Sequence, residues 1–277
     1  MSRQDTLALL NRFNIQPTRS LGQNFLTDDL AISRICDLAD LSGQDLVIEI
    51  GPGIGSLTRE LAHRAGRIVA LEIDRHVMPA LTHNLDGLTN CLIRQADALS
   101  IHLPDLTDGW SGSVKLVANL PYYITTPLMV KILCELPTCQ TVVLMIQREA
   151  AGRVLAAPGG KQYGPLAILV ACYGRASREM VVPAASFYPR PGVDSCVIRI
   201  NTDRRMQIDA WPDFHRFLEN CFTQRRKTLM NSLKTAGWAS ERQKKLLQWL
   251  ATCGLAADIR AEMLSPEQFV DLYHHLS

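Results

Sequence analysis

Leu46-Val47-Ile48-Glu49-Ile50-Gly51-Pro52-Gly53-Ile54-Gly55 runs from an apolar stretch into three glycines at alternate positions. An apolar run of this length that ends in glycines predicts a buried strand delivering the chain into a tight turn. Glycines at 51, 53 and 55 allow the backbone to turn sharply and to lie close against a ligand. The spacing is G-x-G-x-G, with Ser56 where the dinucleotide fingerprint has glycine. A loop of this kind, with no diphosphate to cradle, suits a nucleoside. Alone, it is also compatible with an ordinary glycine-rich strand-to-helix turn.

Working outward, six further strand-sized runs follow, at Arg67–Ile73, Cys91–Ala96, Lys115–Ala118, Thr141–Gln147, Leu166–Tyr173 and Ser195–Ile200. Helical periodicity falls around and between them. Ile32, Ile35, Cys36 and Ala39 share one face, with Thr27 as the expected cap. Leu57, Leu61 and Ala65 share another before the stop at Gly66, and Thr126-Pro127 opens a helix through Leu136. This alternation predicts an α/β fold with a seven-stranded, mostly parallel sheet. Met180–Asp194 is rich in proline and aromatics and carries no convincing helix, so the last two runs are expected to pair hairpin-like, one of them antiparallel. After Asp203 the pattern turns helical, with Phe214, Phe217, Leu218, Cys221 and Phe222 as one stripe. A boundary near 201–210 is expected, with a sheet domain over residues 1–204 and a small all-helical C-terminal domain over 205–277.

The 277 residues, 47% hydrophobic and 20% charged, describe ordinary globular composition. The longest apolar runs, such as Thr141–Ile146, are far short of a membrane span. Residues 1–13 carry charges through their apolar stretch and lack a signal-peptide pattern, so a cytoplasmic location is expected. The eight cysteines stand singly, with no C-x-x-C pair, and the histidines at 63, 76, 83 and 102 lack ligand spacing; neither a disulfide framework nor a metal is expected. Net charge is +2, but residues 215–245 hold eight Lys/Arg against two Asp/Glu. A local basic segment on an otherwise mildly acidic chain points to a polyanion contact. Within it, Arg225-Arg226-Lys227 is the candidate RNA contact, against the plainer reading of a solvated helix face.

Two carboxylates strengthen the nucleoside reading. Glu72 closes the second strand, where it can accept from both ribose hydroxyls; Asp97 ends the third, where it can take the amino protons of an adenine. Ligands of such sheets sit outside the carboxyl ends of the strands. Asn119-Leu120-Pro121-Tyr122 ends the fourth strand. An aromatic amine is a poor nucleophile because its lone pair is delocalised into the ring. A side-chain amide oxygen and a backbone carbonyl, both accepting from the amine, concentrate density on nitrogen and aim it. Proline fixes the turn and frees the preceding carbonyl from pairing, and Tyr122 offers a face for a base.

Together with Arg19-Ser20-Leu21-Gly22-Gln23-Asn24-Phe25-Leu26 and Phe187-Tyr188-Pro189-Arg190-Pro191-Gly192-Val193-Asp194-Ser195, these motifs resemble the KsgA family of rRNA adenine dimethyltransferases, over about residues 19–235. The resemblance implies a Rossmann-like methyltransferase domain that uses S-adenosyl-L-methionine. It implies that Asn24 and Leu26 contact the cofactor, that Gly51, Gly53, Glu72, Asp97 and Asn119 complete its site, and that Phe187 clamps a flipped adenine opposite Tyr122. Leu120, where a second proline could stand, leaves room for a base already carrying one methyl. The implied reaction is dimethylation of N6 on two adjacent adenines near the 3′ end of 16S rRNA, in the 30S subunit or its precursor and late in its assembly, by a protein expected to be monomeric. Two alternatives stay open: a 23S rRNA dimethylase of the antibiotic-resistance type, and a non-catalytic RNA-binding assembly factor.

Overall fold

The computed structural model describes residues 1–203 and 206–276; the boundary expected between 204 and 205 lies outside the described residues. Seven strands form one sheet: β1 (Asp45–Ile50), β2 (Arg67–Glu72), β3 (Cys91–Gln95), β4 (Ser113–Asn119), β5 (Thr141–Gln147), β6 (Gly174–Val182) and β7 (Ser195–Thr202), in the spatial order β3-β2-β1-β4-β5-β7-β6. β1 pairs in parallel with β2 and β4, β2 with β3, and β4 with β5. β7 runs antiparallel to β5, with Met145 opposite Val197. Every residue of β1 is buried, as a central strand covered on both faces requires. The order reverses at β1, so the carboxyl ends of β1 and β4 part there and leave a crevice.

Helices in the first part of the chain are α1 (Arg3–Arg12), α2 (Asp29–Ala39), α3 (Ser56–Ala62), α4 (Met78–Asn84), α5 (Thr125–Glu135) and α6 (Arg148–Val154). α2 buries Ile32, Ile35, Cys36 and Ala39 against Val47, Val143 and Val197 of the sheet. Its cap is Asp28, whose side chain accepts from Ala31 N, one residue after the expected Thr27; Thr27 instead donates from its backbone and hydroxyl to Ser186 O. α5 begins at Thr125, one residue before the expected cap at Thr126.

The largest departure from expectation is at Leu166–Tyr173, which forms a helix, α7 (Pro165–Tyr173), and not a strand. Its segment is apolar on all sides, and periodicity cannot separate a fully buried helix from a buried strand; the deciding signal was Pro165 at the first helical position. The strand is the next segment, β6, which lies at the sheet edge and carries Arg175, Arg178 and Glu179, charges that discourage edge-to-edge pairing.

The chain divides into two compact units, one of residues 1–151 with 176–202, the other of 152–175 with the residues after 202. In the second, α7 packs against α8 (Trp211–Cys221) and α11 (Pro266–Leu276), with α9 (Leu229–Thr235) and α10 (Ser240–Thr252) completing the group. Phe214, Phe217, Leu218 and Cys221 face inward on α8, and the Tyr163 hydroxyl donates to Leu264 O at 3.0 Å. No helix among the described residues is long and apolar enough to cross a membrane.

Candidate active site

At the carboxyl ends of β1, β2 and β4 the first unit holds a cleft lined by the glycine turn, residues 21–26 and residues 119–124. One wall is the glycine turn. Gly51, Gly53 and Gly55 all have positive φ, at 73°, 58° and 85°, a region costly for any residue with a Cβ. A Cβ on Gly53 would also stand 3.0 Å from the Phe25 ring, and one on Gly51 would lie 3.7 Å from Asn119 O. The turn is therefore packed tightly against the Phe25 ring and touches the end of the fourth strand.

Glu72 sits where expected, but its carboxylate also has a structural task. Oε2 accepts from Gly53 N at 2.9 Å and Oε1 from Asp74 N at 2.8 Å, which ties the glycine turn to the end of β2. Burial raises its pKa above the usual carboxylate range, with these backbone donors opposing. Asp97 lines the same cleft. Its Oδ1 accepts from Leu99 N and its Oδ2 from the Ser100 hydroxyl, so the carboxylate is held in one orientation.

Residues 22–26 form the opposite wall. Asn24 Nδ2 donates to Gly22 O, and Gln23, bonded to Thr18 N, donates through Nε2 to Asp74 Oδ2 at 2.7 Å. Phe25 and Leu26 pair antiparallel with Tyr188 and Phe187. The segment thus lies over the glycine turn, with Asn24 and Leu26 lining the cleft.

Asn119 donates through Nδ2 to Asn24 O at 3.3 Å. That bond assigns its amide so that Oδ1, the acceptor, is left for a ligand. The Leu120 carbonyl accepts no hydrogen bond from the described residues, as the following proline predicts. Two acceptors therefore stand on consecutive residues at the cleft. The Leu120 side chain is buried beneath them. Tyr122 opens a short helical turn (Tyr122–Ile124), and its hydroxyl is hydrogen-bonded to Ser195 Oγ at 2.7 Å.

Phe187 does not meet its expectation. Its ring is completely buried, packed with Leu26, Val143, Met145 and Val197, and offers no surface to a base. It opens a two-residue strand whose alternation sends Phe187 into the core and leaves Tyr188 partly exposed. The exposed aromatic at the cleft is instead Tyr123, which no motif in the sequence singles out.

Glu49 likewise carries no sequence signal as a site residue. It lines the cleft, is 1% exposed, and its Oε2 makes no hydrogen bond among the described residues; nor does the buried hydroxyl of Ser56, also on the cleft wall. Burial drives the Glu49 pKa up to about 8, opposed by the neighbouring Thr58 hydroxyl and reinforced by the charge of Glu72. Orphaned buried polar atoms call for a partner. An amino-acid ammonium joined to a nucleoside fits this wall: orphaned acceptors by the glycine turn, Glu72 and Asp97 beyond it. The residues present therefore fit S-adenosylmethionine.

In the second unit, Arg225, Arg226 and Lys227 are exposed in the turn between α8 and α9, not on a helix face. Arg225 pairs with Glu262 at 3.3 Å.

Residues 14–277 match the family described as "Ribosomal RNA adenine dimethylase". The chain is similar to "Ribosomal RNA small subunit methyltransferase A" of Moorella thermoacetica, with 40% identity over 96% of this chain and 95% of that one. The protein of the same name from Staphylococcus aureus is 37% identical over 97% and 92%. Among solved structures, "23S rRNA methyltransferase ErmE" aligns with a TM-score of 0.65 and 28% identity over 91% of this chain and 99% of that one. A dimethyladenosine transferase from Plasmodium falciparum aligns with a TM-score of 0.74 over 90% and 95%; at 24% identity it speaks for the fold alone.

Proposed function

The chain belongs to the ribosomal RNA adenine dimethylase family, and from that premise we infer that it dimethylates N6 of two adjacent adenines near the 3′ end of 16S rRNA, on the 30S subunit or a late precursor of it. The observation that carries this reading is the pair of acceptors, Asn119 Oδ1 and the Leu120 carbonyl, at the rim of a cleft built for a nucleoside. When bound, S-adenosylmethionine supplies an electrophilic methyl group on a sulfonium. Asn24, Leu26, Gly51, Gly53, Glu72, Asp97 and Asn119 line its cleft.

Asn119 Oδ1 and Leu120 O accept from the adenine amine, orient its lone pair and draw density onto nitrogen. Tyr122 supplies a face for the base, held at its far end by Ser195. Catalysis then rests on orientation and on exclusion of water. The target adenine must leave its stack to reach the rim.

The likeness to ErmE favours one competing reading, a large-subunit target; the small-subunit names of relatives matched over nearly their whole length favour the 16S target. Methyl transfer from labelled cofactor to 30S against 50S particles separates them, and incorporation into neither would leave only an RNA-binding role.

The Arg225–Lys227 turn is assigned to the RNA backbone. Replacing all three residues with alanine is expected to raise KM for the ribosomal substrate about tenfold or more and to flatten its salt dependence, as loss of phosphate contacts does. Affinity for S-adenosylhomocysteine should not change. The test keeps the chain whole, because α7 packs against α8 and α11 and would be uncovered by truncation.

Glu49 makes cofactor binding depend on pH. With its pKa near 8 the cofactor-free cleft holds a proton at neutral pH. A cationic ligand favours the ionised form, so binding releases that proton. Affinity should rise with pH, by up to about tenfold per unit, and level off above about pH 8. Without ligand the sign reverses. The folded chain binds the proton more tightly than the unfolded one, so this residue's contribution to stability falls between about pH 4.5 and 8. Titration calorimetry in buffers of different ionisation enthalpy measures the proton release; a flat profile for the wild type, or one unchanged in Glu49→Gln, would contradict the assignment.

A further inference from the structure

Two neighbouring tyrosines at the cleft face different ways. Tyr122 is committed, its hydroxyl bonded to Ser195 at the start of β7. Tyr123, the next residue, is 53% exposed and lines the cleft. Its ring lies against Gly22, where a Cβ would stand 3.4 Å from the ring edge. Gly22 has a φ of 61° and opens the segment that forms the opposite wall. The phenol thus lies between the two lips of the opening.

Its hydroxyl forms no hydrogen bond to the described residues. Its pKa is raised, first by partial burial and then by the charges of Asp97 and Glu72. The ring shares the cleft with the two carboxylates assigned to the nucleoside. An aromatic ring left half in water at the mouth of a cleft that also holds two carboxylates is suited to covering a planar, polar-edged ligand.

We propose that Tyr123 is a binding residue for the cofactor's nucleoside, its ring covering the adenosine half while Tyr122 serves the target base. This rests on the reading of the cleft as an S-adenosylmethionine site. The ring shields the nucleoside from water. Gly22 matters to the arrangement because its positive φ disfavours any side chain there, while a Cβ would only touch the ring.

The test is direct binding of S-adenosylhomocysteine, by calorimetry, to wild type, Tyr123→Ala and Tyr123→Phe, beside KM for 30S particles. Loss of an aromatic–base contact weakens binding about 10- to 100-fold, so Tyr123→Ala should lose affinity on that scale. Tyr123→Phe, which keeps the ring, should stay within about threefold. KM for the particles should hold in both. The position is exposed, so an unchanged melting temperature is expected and checks that the variants fold. Wild-type affinity in Tyr123→Ala overturns the proposal, as does a rise confined to KM for the particles, which would give the ring to the RNA. A wild-type chain that binds no S-adenosylhomocysteine overturns the reading of the cleft itself, and the proposal with it.

Discussion

Asn119→Ala is expected to lower methyl transfer about 10²- to 10³-fold while affinity for S-adenosylhomocysteine falls by less than about tenfold. The asymmetry follows from where the two ends of the amide point. Nδ2 is spent on Asn24 O at 3.3 Å, a long bond whose loss costs little. Oδ1 remains for the adenine amine, and its interaction strengthens as positive charge develops on nitrogen. Removing one preorganised partner of developing charge costs about 3–4 kcal/mol of barrier, against about 1 kcal/mol for an ordinary neutral hydrogen bond. Single-turnover rates beside calorimetric affinities separate the two terms. Asn119→Asp should not rescue, because Nδ2 is lost and a fixed negative charge is added beside Glu72 and Asp97. Unchanged turnover in Asn119→Ala would remove the catalytic assignment.

Glu72→Ala should have the opposite profile, dominated by binding. The carboxylate does two things at once: it holds the backbone amides of Gly53 and Asp74, and it faces the cleft where ribose hydroxyls are expected. Deleting it leaves one buried and one partly buried N–H group without partners, each worth about 1–3 kcal/mol, so the melting temperature should fall by several degrees. If the proposed cofactor site holds, two charge-assisted hydrogen bonds to ribose go as well, at about 1.5–3 kcal/mol each, and cofactor affinity should weaken by at least about a hundredfold. Glu72→Gln is the informative control. Its amide keeps one acceptor but turns a donor toward a backbone N–H, so it should recover stability only in part and affinity hardly at all. Full affinity in Glu72→Ala would remove Glu72 from the cofactor site.

Much of this site was legible because strand ends are. An apolar run followed by Gly51, Gly53 and Gly55 specifies a parallel strand and a positive-φ turn together, and the topology then brings Glu72, Asp97 and Asn119 to the same edge. What failed was of a different kind. Leu166–Tyr173 is apolar on every side, so no period distinguishes strand from helix, and only Pro165 marked the start. Phe187 belongs to a motif, but which way a strand residue faces depends on register, and opposite Leu26 its ring is buried. Glu49 carries no local signature as a buried acid at a strand end; what sets it apart is an Oε2 without a partner among the described residues. Tyr123 was hidden beside Tyr122, and only the turn Tyr122–Ile124 sends the two rings apart. The small-subunit target came from the resemblance and from the relatives, not from any contact in the cleft.

Methyl transfer to the exocyclic amine of small-subunit adenines is tested most directly by incubating the chain with S-adenosylmethionine and unmethylated 30S particles, then separating and weighing the rRNA nucleosides by mass spectrometry. The expected product is N6,N6-dimethyladenosine in 16S rRNA, absent when Asn119→Ala replaces the wild type. Dimethyladenosine only in 23S rRNA from a parallel reaction with 50S particles, or a methylated nucleoside other than an N6-adenine, would contradict it.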